Sequence, residues 1–370
     1  MPDQASDQAR PKPFRVLSVD GGGMRGIYTA AYLAWLSDRF ARERGLPNLD
    51  IGKGFDLVTG TSTGAIIACA AAMGVPMARV VELYRKFGPQ IFTPRLPEGI
   101  ASAVPQIYSR PGQLANANEV MRRALESILA DRTLGDIHRE RGIAMAIPAV
   151  EMSQWRAWVF KTPHLTSHRD DNFRLVDVCL ASSAAPIYRS LASVDLSDEL
   201  GGRYVFADGG LWANNPVLVG LIDALLMAPP ERPIEIFSLG TCARGEGEQI
   251  EPSDVHRGLV EWKFGGKVAQ LSIAAQEYAF DNMGKMLAGI LTGLGRHVRV
   301  LRFPGGRVPS AMLQFLDLDD TRPQAMDALV AQARGDVNVT KAMCDDPHSS
   351  DGKLICSLFA SLPALATQPV

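Results

Sequence analysis

The sequence predicts an α/β fold built on a mainly parallel sheet, and three observations predict it. Short apolar, β-prone runs alternate with helical patterns along most of the 370 residues. Two glycine clusters, Asp20–Gly26 and Gly60–Gly64, each stand between such a run and a helical pattern. No composition shift, internal repeat or low-complexity tract divides the chain into unlike parts. One domain over residues 13–343 is therefore expected, with an elaboration from about residue 243. A disordered tail is expected over 1–12, and a C-terminal tail over 344–370 that is loose near 344–352 and then docks on the domain.

Taken in order, Phe14–Val19 is the first strand, apolar and stopped by the first glycine cluster. Ile27–Arg44 is a helix, because Ile27, Ala31, Leu33 or Ala34, and Leu36 can share one stripe. Phe55–Thr59 is the second strand. Ala65–Met73 is an apolar helix ended by Gly74 and Pro76, and Met77–Phe87 is the next helix. Strands follow at Ile143–Val150, Trp155–Lys161, Tyr204–Ala207, Ile234–Leu239 and Val298–Phe303. Helical patterns lie at Asn118–Ala130, Val176–Ser183, Val217–Met227 and Gln324–Arg334. Pro94–Pro111, His164–Asn172 and Ala243–Pro252 read as linkers. From Ala279 to Leu294, the residues Phe280, Met283, Leu287, Ile290 and Leu294 recur every three or four positions. They predict one apolar helix face, either packed on the core or serving as a lid that touches lipid.

Composition excludes several classes. Lys and Arg number 38 against 40 Asp and Glu, a net charge of −2, so bulk DNA or RNA binding through a basic surface is not expected. A local basic pocket for a small anion is still allowed. The five cysteines (Cys69, Cys179, Cys242, Cys344, Cys356) are odd in number, widely spaced and without C-x-x-C, the pattern of reduced thiols. The first residues are polar and carry no apolar signal region, so a cytoplasmic location is expected. Residues 57–78 lack charge over 22 positions, close to the roughly 20 that a membrane span needs. Thr59–Gly64 and Pro76 interrupt them, and a buried strand, turn and helix fit better.

Three motifs carry chemistry. Gly60-Thr61-Ser62-Thr63-Gly64 is a G-x-S-x-G between strand and helix, the setting in which small flanking residues let a sharp turn present a serine hydroxyl. The following helix offers its positive end to a developing oxyanion. Asp20–Gly26 (DGGGMRG) satisfies G-x-G-x-x-G through Gly21, Gly23 and Gly26. A dinucleotide site would need an acid closing the second strand, and none stands there. The other readings are an oxyanion loop of backbone amides, with Arg25 adding charge, or a tight turn alone. Asp208-Gly209-Gly210 puts a carboxylate at a strand end, where it could serve Ser62 as a base. Burial would raise its proton affinity and the glycine amides would lower it. A triad through His256 or His297 would keep the α/β-hydrolase chain order, although neither histidine sits in a glycine turn or at a clear strand end. No His, Cys or Asp cluster has metal-ligand spacing.

Together, in this order, these motifs resemble those of the patatin-like phospholipases: D-G-G-G-x-R-G, G-x-S-x-G and a distal D-G-G. Ala181–Pro186 (ASSAAP), Asp208–Pro216 (DGGLWANNP) and Ser238–Thr241 (SLGT) match further family motifs. Cys242 replaces a glycine, and Pro186–Arg189 departs from the usual aromatic and proline residues. The resemblance covers Arg15–Thr241. It implies a three-layer α/β/α sandwich, Ser62 as nucleophile, Asp208 as base, and Gly22, Gly23 and Arg25 as oxyanion site. It also implies hydrolysis of glycerolipid acyl esters through an acyl-serine, with no cofactor or metal required. An unregulated lipid-ester hydrolase or thioesterase with the same dyad, or a nucleotide- or lipid-binding module with an idle serine, is the alternative. DGGGMRGIYTA, GKGFDLVTGTSTGAIIACA and LYRKFGPQIF are similar to the bacterial effectors of cyclic-oligonucleotide antiphage systems (CBASS). That branch implies activation by a cyclic dinucleotide such as 3′,3′-cGAMP, membrane phospholipid as substrate at the inner face of the membrane, and an allowance for a homo-oligomer. The sequence points to no activator pocket.

Overall fold

Continuously apolar runs can be buried on both faces only inside a parallel sheet covered by helices, and this chain is organised that way. The computed structural model describes residues 11–92, 100–195, 202–242, 247, 250–262, 265–305 and 308–366, with backbone alone over 100–108. The expected tail over 1–12 lies outside the described residues apart from its last two positions, as does most of the linker at 243–252.

The described strands form one sheet: β1 (Phe14–Val19), β2 (Leu57–Gly60), β3 (Ala144–Glu151), β4 (Arg156–Lys161), β5 (Ala192–Asp195), β6 (Arg203–Asp208), β7 (Ile234–Leu239) and β8 (Val298–Phe303). Their order is β5-β6-β3-β2-β1-β7-β8, with β4 also paired to β3. The run β3-β2-β1-β7-β8 is parallel, while β4, β5 and β6 pair antiparallel. The helices are α1 (Gly26–Glu43), α2 (Thr63–Met73), α3 (Met77–Ile91), α4 (Ile100–Leu129), α5 (Leu134–Arg141), α6 (Leu175–Ser182), α7 (Gly210–Ala213), α8 (Val217–Met227), α9 (Gly266–Gly293), α10 (Pro323–Asp345) and α11 (Ser350–Ser361). On one face, α8 and α9 cover Phe14, Val16, Leu57, Ala146 and Ile236. On the other, helices including α1, α2, α6 and α10 cover Leu17, Val19, Val58 and Phe237. This is the three-layer α/β/α sandwich that the sequence implied.

β3 sets the geometry of the site. Its first half pairs with β2, Thr59 opposite Ala146, and its second half pairs with β6, Asp208 opposite Ala149. β4 takes the opposite edge. The C-terminal ends of β2 and β6 therefore meet head-on along one edge of β3.

Four expectations are corrected. The stretch read as a linker at 94–111 is helical from Ile100, because α4 continues without interruption into the buried Met121, Ala124, Leu125 and Leu129. β5 was not foreseen: it is a four-residue edge strand held only by β6. On α9 the packed face is Phe280, Gly284, Ala288 and Leu291, while Met283, Leu287, Ile290 and Leu294 are exposed. Small residues decide this, since a Cβ on Gly284 would already touch Val217 at 3.3 Å. The segment expected to be loose at 344–352 contains the end of α10 and the start of α11, which is capped by Ser349 Oγ accepting the Gly352 amide at 2.9 Å. α11 buries Ile355, Leu358 and Phe359. Among the described residues no helix is long and apolar enough to cross a membrane.

One charged pair ties β1 to β8. Arg302 Nη2 donates to Asp20 Oδ2 at 2.6 Å, and its Nη1 donates to Ser238 Oγ at 3.2 Å. Asp20 is fully buried. Arg302→Met would strand that carboxylate, and a loss of about 3–5 kcal/mol in urea unfolding is expected.

Candidate active site

β2 ends at Gly60 and α2 begins at Thr63, so the chain reverses within two residues. Ser62 occupies the reversal at φ 55°, ψ −124°, a backbone state that costs a non-glycine residue about 1–3 kcal/mol. Close packing makes the turn possible: a Cβ on Gly64 would strike the carbonyl oxygens of Val19 and Asp20. Ser182, at the end of α6, clamps the turn. Its Oγ accepts the Ser62 amide at 2.9 Å and donates to the Pro148 carbonyl at 2.7 Å.

The Ser62 hydroxyl donates to Asp208 Oδ2 at 2.8 Å. Asp208 Oδ1 accepts the Gly210 amide at 2.6 Å. Burial pushes the Asp208 carboxyl up to about 6, against the Gly210 amide, the Ser62 hydroxyl and the Arg189 guanidinium, all of which favour the charged form. The carboxylate is thus ionised at neutral pH, yet about a hundredfold more basic than free aspartate. The contest that the sequence left open is decided by desolvation.

The first glycine cluster lies beside the serine. Gly22 and Gly23 line the same cavity as Ser62 and Asp208. Gly23 has φ 56°, and a Cβ there would strike the Leu318 carbonyl. The Gly22 amide makes a long bond of 3.2 Å to Thr63 Oγ1, and the Gly23 amide has no partner among the described residues. Both can turn to an oxyanion at little cost. Arg25 stands elsewhere. Its amide donates to the Gly22 carbonyl at 3.1 Å, and its buried guanidinium lies 3.6 Å from Glu277 on α9, off the cavity wall. Glu277 is 5% exposed and needs that counter-charge. Gly21 braces the loop: its amide donates to the Asn214 carbonyl at 2.9 Å, and its carbonyl accepts Asn214 Nδ2 and Thr241 Oγ1, each at 3.2 Å. Gly26, Gly60 and Gly209 are close-packing positions, and Gly210 is on the cavity wall.

Neither candidate histidine reaches the serine. His256 is exposed, and His297 is exposed at the end of the sheet where β7 and β8 begin, opposite to Ser62. The described residues hold no group of His, Cys, Asp and Glu able to bind a metal. The cavity measures about 470 Å³. Beyond Ser62 its wall is mostly apolar, with Ile66, Leu83, Ile91, Phe92 and Met121, a lining that suits an acyl chain. Ser182, Asn214 and Thr241 were not assigned roles from sequence. They stand inside recognisable motifs, but their partners are distant in the chain and leave no local signal.

The profile of the family described as patatin-like phospholipase matches residues 17–221. The chain belongs to that family. The patatin-like phospholipases most similar to it include a cGAMP-activated phospholipase of Pseudomonas aeruginosa, 34% identical over 75% of this chain and 76% of the relative. A cGAMP-activated phospholipase of Vibrio cholerae is 28% identical over 90% of this chain and 93% of its own length. One of Escherichia coli is 31% identical over 73% and 74%. This patatin-like phospholipase therefore shares similarity with those relatives well beyond the 17–221 segment.

The Ser182 clamp is testable. Ser182→Ala leaves the buried Ser62 amide and Pro148 carbonyl unpaired, which costs about 1–3 kcal/mol. A drop in thermal midpoint is expected together with a lower kcat, measured on a soluble ester.

Proposed function

We propose that this chain hydrolyses fatty-acyl esters of membrane phospholipid through the pair Ser62 and Asp208. The observation that supports the reading best is the 2.8 Å hydrogen bond from the Ser62 hydroxyl to a buried, raised carboxylate. Ser62 Oγ attacks the ester carbonyl carbon and its proton passes to Asp208 Oδ2. The carbonyl oxygen becomes an oxyanion held by the Gly22 and Gly23 amides, at the positive end of α2. The intermediate collapses, and Asp208 returns the proton to the leaving lysolipid oxygen. Water then attacks the acyl carbon while Asp208 takes its proton, and as the C–Oγ bond breaks and the fatty acid leaves, Asp208 returns that proton to Ser62 Oγ. Arg25 supports the loop through Glu277. Every proton has a donor and an acceptor among Ser62, Asp208, water and the substrate in this cycle.

The cavity opens near Ile187, Leu211 and Val268, which line it while remaining 46%, 53% and 51% exposed. An apolar mouth of this kind suits a lipid surface, here the inner face of the membrane. The names of the three bacterial relatives support activation by cGAMP, and a role in antiphage defence rests on the resemblance to the CBASS effectors.

Fatty-acid release from phospholipid vesicles tests the reading. Ser62→Ala and Asp208→Asn should each lower kcat by about 10³-fold or more. Release by wild type should fall on acidification with a midpoint of about 6, because protonated Asp208 accepts nothing from Ser62. Addition of 3′,3′-cGAMP should raise release. No response to the dinucleotide removes the regulatory part alone, whereas full activity in Ser62→Ala removes the mechanism.

A further inference from the structure

Arg189 is the cation that the mechanism above leaves unused. It stands on the segment after α6, with its amide donating to the Ala185 carbonyl at 2.8 Å, while the Ala184 carbonyl accepts the Asp208 amide at 3.0 Å. It lines the Ser62–Asp208 cavity and is the only Lys or Arg among the described lining residues. The residue is 7% exposed. Nη2 donates to Asn118 Oδ1 on α4 at 3.2 Å, but Nε and Nη1 have no partner among the described residues and are closed to solvent. A desolvated guanidinium with one neutral hydrogen bond keeps nearly its full charge, and in a low-dielectric interior that charge acts over several ångströms. Since those two nitrogens are closed off, the charge works through space and not by gripping a ligand.

The other charged groups on the surrounding elements are engaged, among them Asp317 and Asp319, which flank the cavity-lining Leu318 and face Tyr188. Glu151, on neighbouring β3, accepts the amides of Ser153 and Gln154. Arg122 on α4 is paired with Asp177 on α6, Arg110 on α4 donates to the Ile187 carbonyl, and Glu277 on α9 lies beside Arg25. Tyr84 on α3 and Tyr188, which line the cavity, are held in their neutral form by burial. Within this set Asp208 is the buried carboxylate left for Arg189 to act on.

We infer that Arg189 is a positioning residue that acts through Asp208: its buried, uncompensated charge on the same cavity wall adds to the hydrogen bonds that favour the ionised carboxylate, the form able to accept the Ser62 proton. The inference rests on the dyad proposed above. Burial drives Asp208 toward its neutral form, with Arg189 among the groups opposing it, and burial lowers Arg189 itself to about 10 without discharging it at neutral pH.

The test is the pH dependence of kcat between pH 5 and 9, on phospholipid and on a neutral short-chain ester. For Arg189→Gln the acid limb should move up by about one pH unit on both substrates. The ratio of rates at pH 6 and pH 8 should then fall about fivefold. Arg189→Lys keeps the charge and should keep the wild-type limb. Asn118→Asp leaves Arg189 in place but neutralises it, and should move the limb in the same direction as Arg189→Gln, which covers the case where that variant does not fold. An unmoved limb in Asn118→Asp and Arg189→Gln overturns the inference, including a result in which only KM for phospholipid rises, which would make Arg189 an anchor for the lipid phosphate. If Asp208→Asn retains wild-type rates in the same assay, the dyad itself fails, and the result is distinct from any outcome at Arg189.

Discussion

The hydrogen bond between Ser62 and Asp208 is the constraint around which the rest is arranged. It joins residues 146 positions apart, and it forms because β2 and β6 end against each other along one edge of β3. Each partner needs a local sacrifice. Ser62 must sit in a strained backbone state, and Asp208 must leave water. The strain is held by Ser182 and by glycines that let strand and helix approach closely. The desolvation is opposed by the Gly210 amide, then by the Ser62 hydroxyl, and last by Arg189.

Buried charge does more here than stabilise. Asp20 and Arg25 flank the glycines in sequence, and their partners Arg302 and Glu277 lie close enough for the two buried pairs to feel one another's charge. Both are costly to bury, and neither pair touches the cavity. They anchor a loop whose Gly22 amide makes one long hydrogen bond and whose Gly23 amide makes none among the described residues. A loop that satisfied those amides internally would have nothing to offer a developing oxyanion.

The two faces of the sheet divide the labour. One carries the main core and the α2, α3 and α4 wall of the acyl-sized cavity. On the other, α9 packs through Phe280, Gly284 and Ala288, and its first turns return to the cavity as Val268, Ala269 and Ile273. The same helix thus braces Arg25, closes the cavity and exposes Met283, Met286 and Ile290.

Much of this was legible in the sequence, for reasons that are local. Strand runs such as Phe14–Val19 and Val298–Phe303 and the helix Val217–Met227 were readable because apolar pattern and punctuation by glycine and proline belong to the segment itself. Ser62 and Asp208 were readable as candidates because each stands in a glycine turn at a strand end. What the sequence could not contain is burial and distance. Arg25 looked like part of an oxyanion site until the tertiary structure turned it to Glu277, and the α9 stripe, which its periodicity left open between core and exposed lid, packs through Phe280 alone and leaves Met283, Leu287, Ile290 and Leu294 exposed. Asp208 could have been a capped turn or a raised base. Only tertiary burial, opposed by the Gly210 amide, the Ser62 hydroxyl and Arg189, raised its proton affinity, because desolvation depends on neighbours that come from distant parts of the chain.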